Sequence, residues 1–206
     1  MLLDRYLAQT EFSSYEDFRD HFRIQVPDSF NFAYDVADEY ARIDPDKVAL
    51  VWCDEQGAEA TFTFGQLKEQ SDRAANVFRG LGIRKGDPVM LILKRRYEFW
   101  FCLLALHKLG AIAVPATHLL TAKDLIYRNN AASIRMVVSV AEPEVVTHIE
   151  AARSKSPTMA THVMVGAARP GWVDFGEALA QAAPVFEKPA GEDLPGNGDI
   201  SLLYFT

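Results

Sequence analysis

From residue 64 onward the chain alternates between two kinds of segment. PVMLIL, AIAVP, RMVVSV and HVMVG are short and continuously apolar, and they are separated by YEFWFCLLALHKLG, AKDLIYRNNAA and PEVVTHIEAARSK, each amphipathic and of helical length. A strand without a polar face must be covered on both sides, and a connection long enough to hold a helix joins parallel neighbours. The alternation therefore predicts an α/β fold, a largely parallel sheet flanked by helices on both faces. FGQLKEQSDRAANVFRGLG, with an apolar stripe through Leu67, Ala74, Val77, Phe78 and Leu81, leads into the sheet, and a helix around FGEALAQAA follows it.

Residues 1–63 read differently, as short helices and a strand pair, so the division expected is 1–63 and 64–206. Ser14 precedes an acidic first turn with Phe18 and Phe22 four apart, the mark of a capped helix. Asn31 opens a second helix whose apolar side carries Phe32, Val36, Ala37 and Tyr40, and Asp44-Pro45 ends it. KVALVWC and ATFTF, joined through EQG, read as a hairpin. The last stretch, ISLLYFT at residues 200–206, follows the turn-rich LPGNGD and reads as a fully buried strand.

Charge excludes some functions. With 21 basic and 28 acidic residues the formal charge is −7, which argues against a generic nucleic-acid binder, whose contact face is basic. Residues 79–108 nevertheless hold seven bases against two acids. A solvated face is the plain reading of that stretch, and attraction for a polyanion the functional one. Cys53 and Cys102 lie in apolar contexts outside any CxxC or Cys/His pairing, as buried free thiols in a reducing compartment do. The N-terminus has no basic segment followed by an apolar one, and the longest strongly apolar run, residues 99–106, falls far short of the ~20 residues that span a bilayer. These features predict a cytoplasmic protein without a membrane span.

No complete catalytic constellation is present. GLGIRKGD, residues 80–87, imitates a dinucleotide loop, but its glycines close a helix and enter a strand, the reverse of the order that loop requires. Gly80 or Gly82 reads as a helix C-cap and Gly86-Asp87 as a turn. There is no GxSxG elbow, HExxH helix, GxxxxGK[ST] loop or calcium loop, and the five histidines lack metal-ligand spacing. His107 and His148 fall on amphipathic helices, in surface or satisfied positions. His118, in PATHLL at the C-terminal end of an expected parallel strand, stands where open α/β sheets bind ligands. Trp100 and Phe101 lie on a helix of dense apolar character and are expected to pack.

Four blocks, FNFAYDVADEYA, TFTFGQLKEQSDRAANVFRGLGIRKGDPVMLIL, EFWFCLLALHKLGAIAVPATHLLTAKDLIYR and ISLLYFT, occur in that order. Together they resemble the AMP-forming acyl-CoA synthetases, in particular the medium-chain and acetyl/acyl-CoA synthetase branch of the adenylate-forming superfamily. The resemblance covers the chain from about residue 30 to Thr206. It implies the first part of the large N-terminal domain of such an enzyme. There, a strand like LLYFT runs into a Thr/Ser/Gly-rich loop, typically TSGTTG, whose backbone N–H groups wrap the ATP phosphates. Thr206 matches the first residue of that loop. PATHLL matches a segment bordering the CoA channel, which places His118 and Leu119 there, with Leu119 standing where the family has a CoA-contacting glutamine.

The implied activity joins a small carboxylic acid to ATP as acyl-AMP, with Mg²⁺ accompanying the ATP, and then transfers the acyl group to the CoA thiol. The resemblance assigns no catalytic residue and no metal ligand within these residues, and it implies a portion inactive alone. The competing reading is a stand-alone non-catalytic binding or oligomerisation module derived from that family. A nucleotide-binding oxidoreductase is disfavoured by the missing fingerprint, and an oligomeric state is left open.

Overall fold

The computed structural model describes residues 2–205. Strands β1 (Val48–Cys53) and β2 (Glu59–Thr63) form the expected antiparallel hairpin as a separate sheet. Its turn is held by Asp54, whose Oδ1 accepts from the Gln56 and Ala58 amides at 2.9 Å. The main sheet has five parallel strands in the order β4-β3-β5-β6-β7: β3 (Pro88–Ile92), β4 (Ile112–Pro115), β5 (Met136–Val140), β6 (Thr161–Val165) and β7 (Val173–Asp174). The short β7 carries no apolar run and was not legible in the sequence.

Helices cover both faces. α4 (Glu98–Leu109) carries the chain from β3 outward to β4, whereas α5 (Ala122–Ala131) and α6 (Pro143–Arg153) carry it the opposite way, to β5 and then β6. Right-handed crossovers in opposite directions put α4 on one face and α5 and α6 on the other. α3 (Phe64–Gly80) and α7 (Phe175–Gln181) join the α4 layer, while α5 packs on α6.

Local chemistry sets the ends of these helices. Thr63 and Gln66 form a capping box at the start of α3, and Thr121 and Asp124 form one at the start of α5. Gly110, at φ 68°, ends α4 in the left-handed conformation that costs glycine nothing. In GLGIRKGD, α3 stops at Gly80, Gly82 takes φ 94°, and the Asp87 carboxylate accepts from the Arg84 amide at 2.8 Å. Those glycines turn the chain into β3.

The N-terminal segment docks on the end of α4. Ser14 caps α1 (Tyr15–His21), and Phe18 stacks on Phe22 at 4.8 Å. The Asn31 Oδ1 caps the next helical stretch, which begins as a π-helical turn (Ala33–Asp38) and continues as α2 (Glu39–Ile43). Its side chains reach the last carbonyls of α4: Asn31 Nδ2 donates to His107 O at 2.8 Å, alongside the Gly110 amide, and the Tyr34 hydroxyl donates to Lys108 O at 3.0 Å. Ala33, Ala37, Leu67, Phe101 and Leu104 close a small second core there.

Several expectations are corrected by packing. Cys53 is exposed, because β1 pairs only with β2 and keeps one open face; Cys102 is buried as expected. Trp100 is 46% exposed and meets Phe99 edge-on, since it lies on the side of α4 away from the sheet, whereas Phe101 is buried. His107 is half-buried, with its Nε2 buried and without a partner among the described residues, and burial holds its pKa below the usual value. Residues 200–205 form no buried strand. Leu202 makes a single parallel bridge to Ala113 at the edge of β4, and Ile200 and Tyr204 are exposed. The apolar run lies flat against a sheet edge with one side bare.

Candidate functional site

Beyond Pro115, β4 gives way to residues 116–121, the PATHLL loop and the cap of α5. The Ala116 amide still donates to Leu91 O at 2.9 Å, so the loop leaves the sheet at the C-terminal ends of β3 and β4. Thr117 Oγ1 accepts from the Leu119 amide at 3.3 Å, which turns Leu119 outward, 75% exposed, while Leu120 is buried beneath it. His118 is half-buried. Hydrogen bonds from Thr121 hold the Asp124 carboxyl below its usual pKa, so the cap stays ionised at neutral pH.

Alongside this loop runs the C-terminal segment. The Ala113 amide donates to Ser201 O and the Leu203 amide to Ala113 O, both at 3.0 Å, in parallel register. Being parallel, residues 201–205 run out at the same end of the sheet as the loop. There Phe205 meets Tyr127 edge-on at 6.2 Å, with the Arg128 guanidinium over its ring at 5.1 Å. Leu119 on the loop, Tyr127 on α5 and Tyr204 on the terminal segment are each exposed. Thr206 lies outside the described residues, so of the three site positions expected from sequence the structure describes His118 and Leu119, both on this loop.

Sequence reasoning missed a neighbouring pair. β3 connects across one face and β5 across the other, which makes the gap between their C-terminal ends the topological switch point of the sheet. Lys94, at φ 52°, and Glu142 bridge that gap at 2.6 Å. The available signal was the abrupt KRR after the apolar run of β3. A cleft of about 750 Å³ lies farther along, between α3, α7 and the ends of β3 and β6. Its charged walls are internally paired, Arg96 to Glu98 at 2.8 Å and Arg73 to Glu69 at 2.9 Å.

The basic stretch 79–108 thus disperses rather than forming one face. Lys94 pairs with Glu142, Arg96 with Glu98, Lys85 with Asp199, and Lys108 is wholly buried against Asp72. Arg79, Arg84, Lys94 and Arg95 remain exposed, as the solvated reading expects, while helical and loop geometry send Lys85, Arg96 and Lys108 to acidic partners away from them.

The profile of the AMP-binding enzyme family matches residues 37–206. The chain belongs to the AMP-binding enzyme family. Among curated relatives, this AMP-binding family member is 33% identical over 188 residues to the acyl-coenzyme A synthetase ACSM5, mitochondrial, of Rattus norvegicus, covering 88% of this chain and 32% of that protein. It is 31% identical over 189 residues to acyl-coenzyme A synthetase ACSM1, mitochondrial, of Homo sapiens, with the same two coverages. The chain therefore spans about a third of the length of the curated relatives it matches. The crystal structure of the anthranilate CoA ligase AuaEII in complex with anthranoyl-AMP shares its fold, with a TM-score of 0.74 at 23% identity over 84% of this chain and 32% of that one. The inhibitor-bound N-terminal domain of FACL13 from Mycobacterium tuberculosis gives 0.65 at 26% identity over 79% of this chain and 38% of that chain.

The resemblance to acyl-CoA synthetases and the α/β architecture both hold. The expected cytoplasmic location does not: the curated relatives are named as mitochondrial proteins, which overturns a reading drawn from the cysteine contexts, the N-terminal residues and the short apolar runs. No helix among the described residues is long and apolar enough to cross a membrane.

Proposed function

We propose that this chain is an N-terminal part of an AMP-forming acyl-CoA ligase which, at family length, joins a carboxylic acid to ATP as acyl-AMP and passes the acyl group to CoA. The observation that carries the reading is the convergence at the end of β4: residues 201–205 and the PATHLL loop leave the sheet side by side, in parallel, at the end where α/β sheets bind ligands. In this reading Thr206 opens the loop that holds the ATP phosphates, and the backbone of residues 201–205 aims it. Arg128, above Phe205, adds a cation at the same end of the sheet. His118 and Leu119 border the CoA channel. Leu119 offers CoA only van der Waals contact, and His118 supplies the polar group of that rim.

Bound ATP supplies the phosphorus that the carboxylate attacks, and Mg²⁺ accompanies it. The described residues contain no group of three or more His, Cys, Asp or Glu that could hold a metal ion, so this reading gives no residue here to Mg²⁺. What the chain contributes is position. Adenylation depends on holding phosphates and carboxylate in line and on donors aimed at the developing charge, where each lost donor costs ~10²–10³ in rate. With only the first residue of a phosphate loop, the 206 residues should not catalyse alone.

The test is ATP–pyrophosphate exchange with a panel of carboxylic acids, run on the 206-residue chain and on a protein of family length that carries it. The short chain is expected to give none, and the long one exchange that depends on the acid. Exchange by the short chain, with host synthetases excluded, overturns its inactivity; absence of exchange by the long protein with every acid overturns the ligase reading.

A further inference from the structure

The segment between α7 and the β4 edge, residues 182–200, holds little regular structure, yet it is strapped across the base of the sheet by side chains of α3 and the β3 approach. Asn76 Nδ2 donates to the carbonyls of Ala183 and Val185 at 3.0 and 2.9 Å, and the Arg79 guanidinium covers the Phe186 ring at 4.5 Å. The last hold before the terminal segment is Lys85. Its Nζ donates to Leu194 O at 2.9 Å and Glu192 O at 3.2 Å, and pairs with Asp199 Oδ2 at 3.0 Å. The same Asp199 carboxyl accepts from the Gly196 amide at 2.8 Å, and these two partners together hold its pKa below the usual range.

The Lys85 stem is seated as well. A Cβ placed on Gly110 would come to 3.0 Å from Lys85 Cγ and 3.1 Å from Pro195 Cβ, so the stem and the proline share the space that the missing side chain leaves. The backbone beneath is tied in turn, the Gly86 amide donating to Gly110 O at 2.9 Å. One ammonium thus gathers three acceptors from a single turn of the strap. Two residues after Asp199 the chain makes the Ser201 and Leu203 hydrogen bonds to Ala113.

We propose that Lys85 is a positioning residue: by fixing the turn at residues 192–199 it sets the register in which residues 201–203 join β4, and so aims the chain that follows Phe205. The consequence for the phosphate loop rests on the ligase reading above; the register itself does not. An ammonium hydrogen-bonded to two carbonyls and a carboxylate is replaced by water only at a cost. The same turn has one further anchor, the Asn197 amide donating to Asp28 O at 2.7 Å, and beyond it Leu203 and Phe205 pack on the core, so Lys85 supplies most but not all of what fixes the turn.

The experiment is residue-resolved amide hydrogen exchange by NMR on the 206-residue chain, wild type against Lys85→Met and Asp199→Asn, with urea unfolding as the measure of global stability. Lys85→Met is expected to speed exchange at the Ala113 and Leu203 amides about tenfold or more, and Asp199→Asn to do so by less, while the amides of Met90 and Val138 keep their wild-type protection. Unchanged protection at Ala113 and Leu203 overturns the proposal. So does a uniform loss that follows the urea midpoint, or a wild-type chain in which those two amides are already unprotected. Hydrogen exchange requires no catalysis, so a failed exchange assay for the ligase reading leaves this result standing, and the reverse.

Discussion

Lys108 is wholly buried between α3, α4 and the N-terminal helical stretch. Its Nζ lies 2.6 Å from Asp72 Oδ1, 2.9 Å from Ser71 Oγ and 2.8 Å from Asp38 Oδ1; the last contact is an ion pair lacking a well-directed hydrogen bond. Lys108→Met keeps most of the volume and removes the cation, leaving two carboxylates facing one another away from water. Breaking a buried pair from one side costs ~3–5 kcal/mol. Lys68, 2.5 Å from Asp72 and 36% exposed, still neutralises one carboxylate, which sets the expected loss near the lower bound, about 3 kcal/mol. With a urea m-value of about 1–3 kcal/mol/M, the midpoint should fall by about 1–3 M. Acidity gives a second check. Burial holds the Asp38 carboxyl above its usual pKa even with Lys108 beside it. A raised carboxyl pKa means the native state takes up its proton before the unfolded one, so the cost of burying Asp38 is present at neutral pH and relieved as pH falls. Without Lys108 that pKa rises further, and the deficit of Lys108→Met should shrink between pH 7 and pH 5. Adding Asp38→Asn should recover a large share of it at pH 7. A Lys108→Met chain as stable as wild type at pH 7, or a deficit that grows on acidification, would refute this account.

His162 on β6 is 2% exposed, packs against Trp172 at 5.1 Å and has no partner for either ring nitrogen among the described residues. Burial, aided by Arg153, holds its pKa below the ordinary histidine value, so the unfolded state takes the proton first and stability drops as pH falls below about 6.5. Chemical denaturation at pH 7 and pH 5 should show that drop reduced in His162→Leu, with the remainder shared by His107, which burial shifts the same way. A Cβ on Gly196 would lie 2.6 Å from Asp28 O, a backbone atom that cannot step aside, so Gly196→Ala should cost ~1–3 kcal/mol by urea unfolding. Gly198→Ala, with open space at that position, serves as the control and should change little.

What the sequence determined by itself is what short-range chemistry decides. A continuously apolar run can only be a covered strand, and β3, β4, β5 and β6 are where those runs stand. Caps act over three or four residues, so Ser14 and Asn31 announced their helix starts and the glycines at 80 and 82 the end of α3. The collinear blocks carried the family, and the place of the candidate loop was legible because the end of a parallel strand is a place in the fold as well as in the chain. The tertiary structure alone decided the rest. Lys108 and Lys85 read alike as surface bases; one is buried because two acids from segments 36 and 70 residues away meet it, and the other holds a turn more than 100 residues further on. ISLLYFT has the composition of a core strand, yet burial depends on what lies against it, and among its described residues Leu203 and Phe205 find the β4 edge and α5 while Ile200 and Tyr204 stay exposed. Hydrophobicity is a property of a segment, whereas burial belongs to a pair of surfaces, and the second surface is not written in the segment.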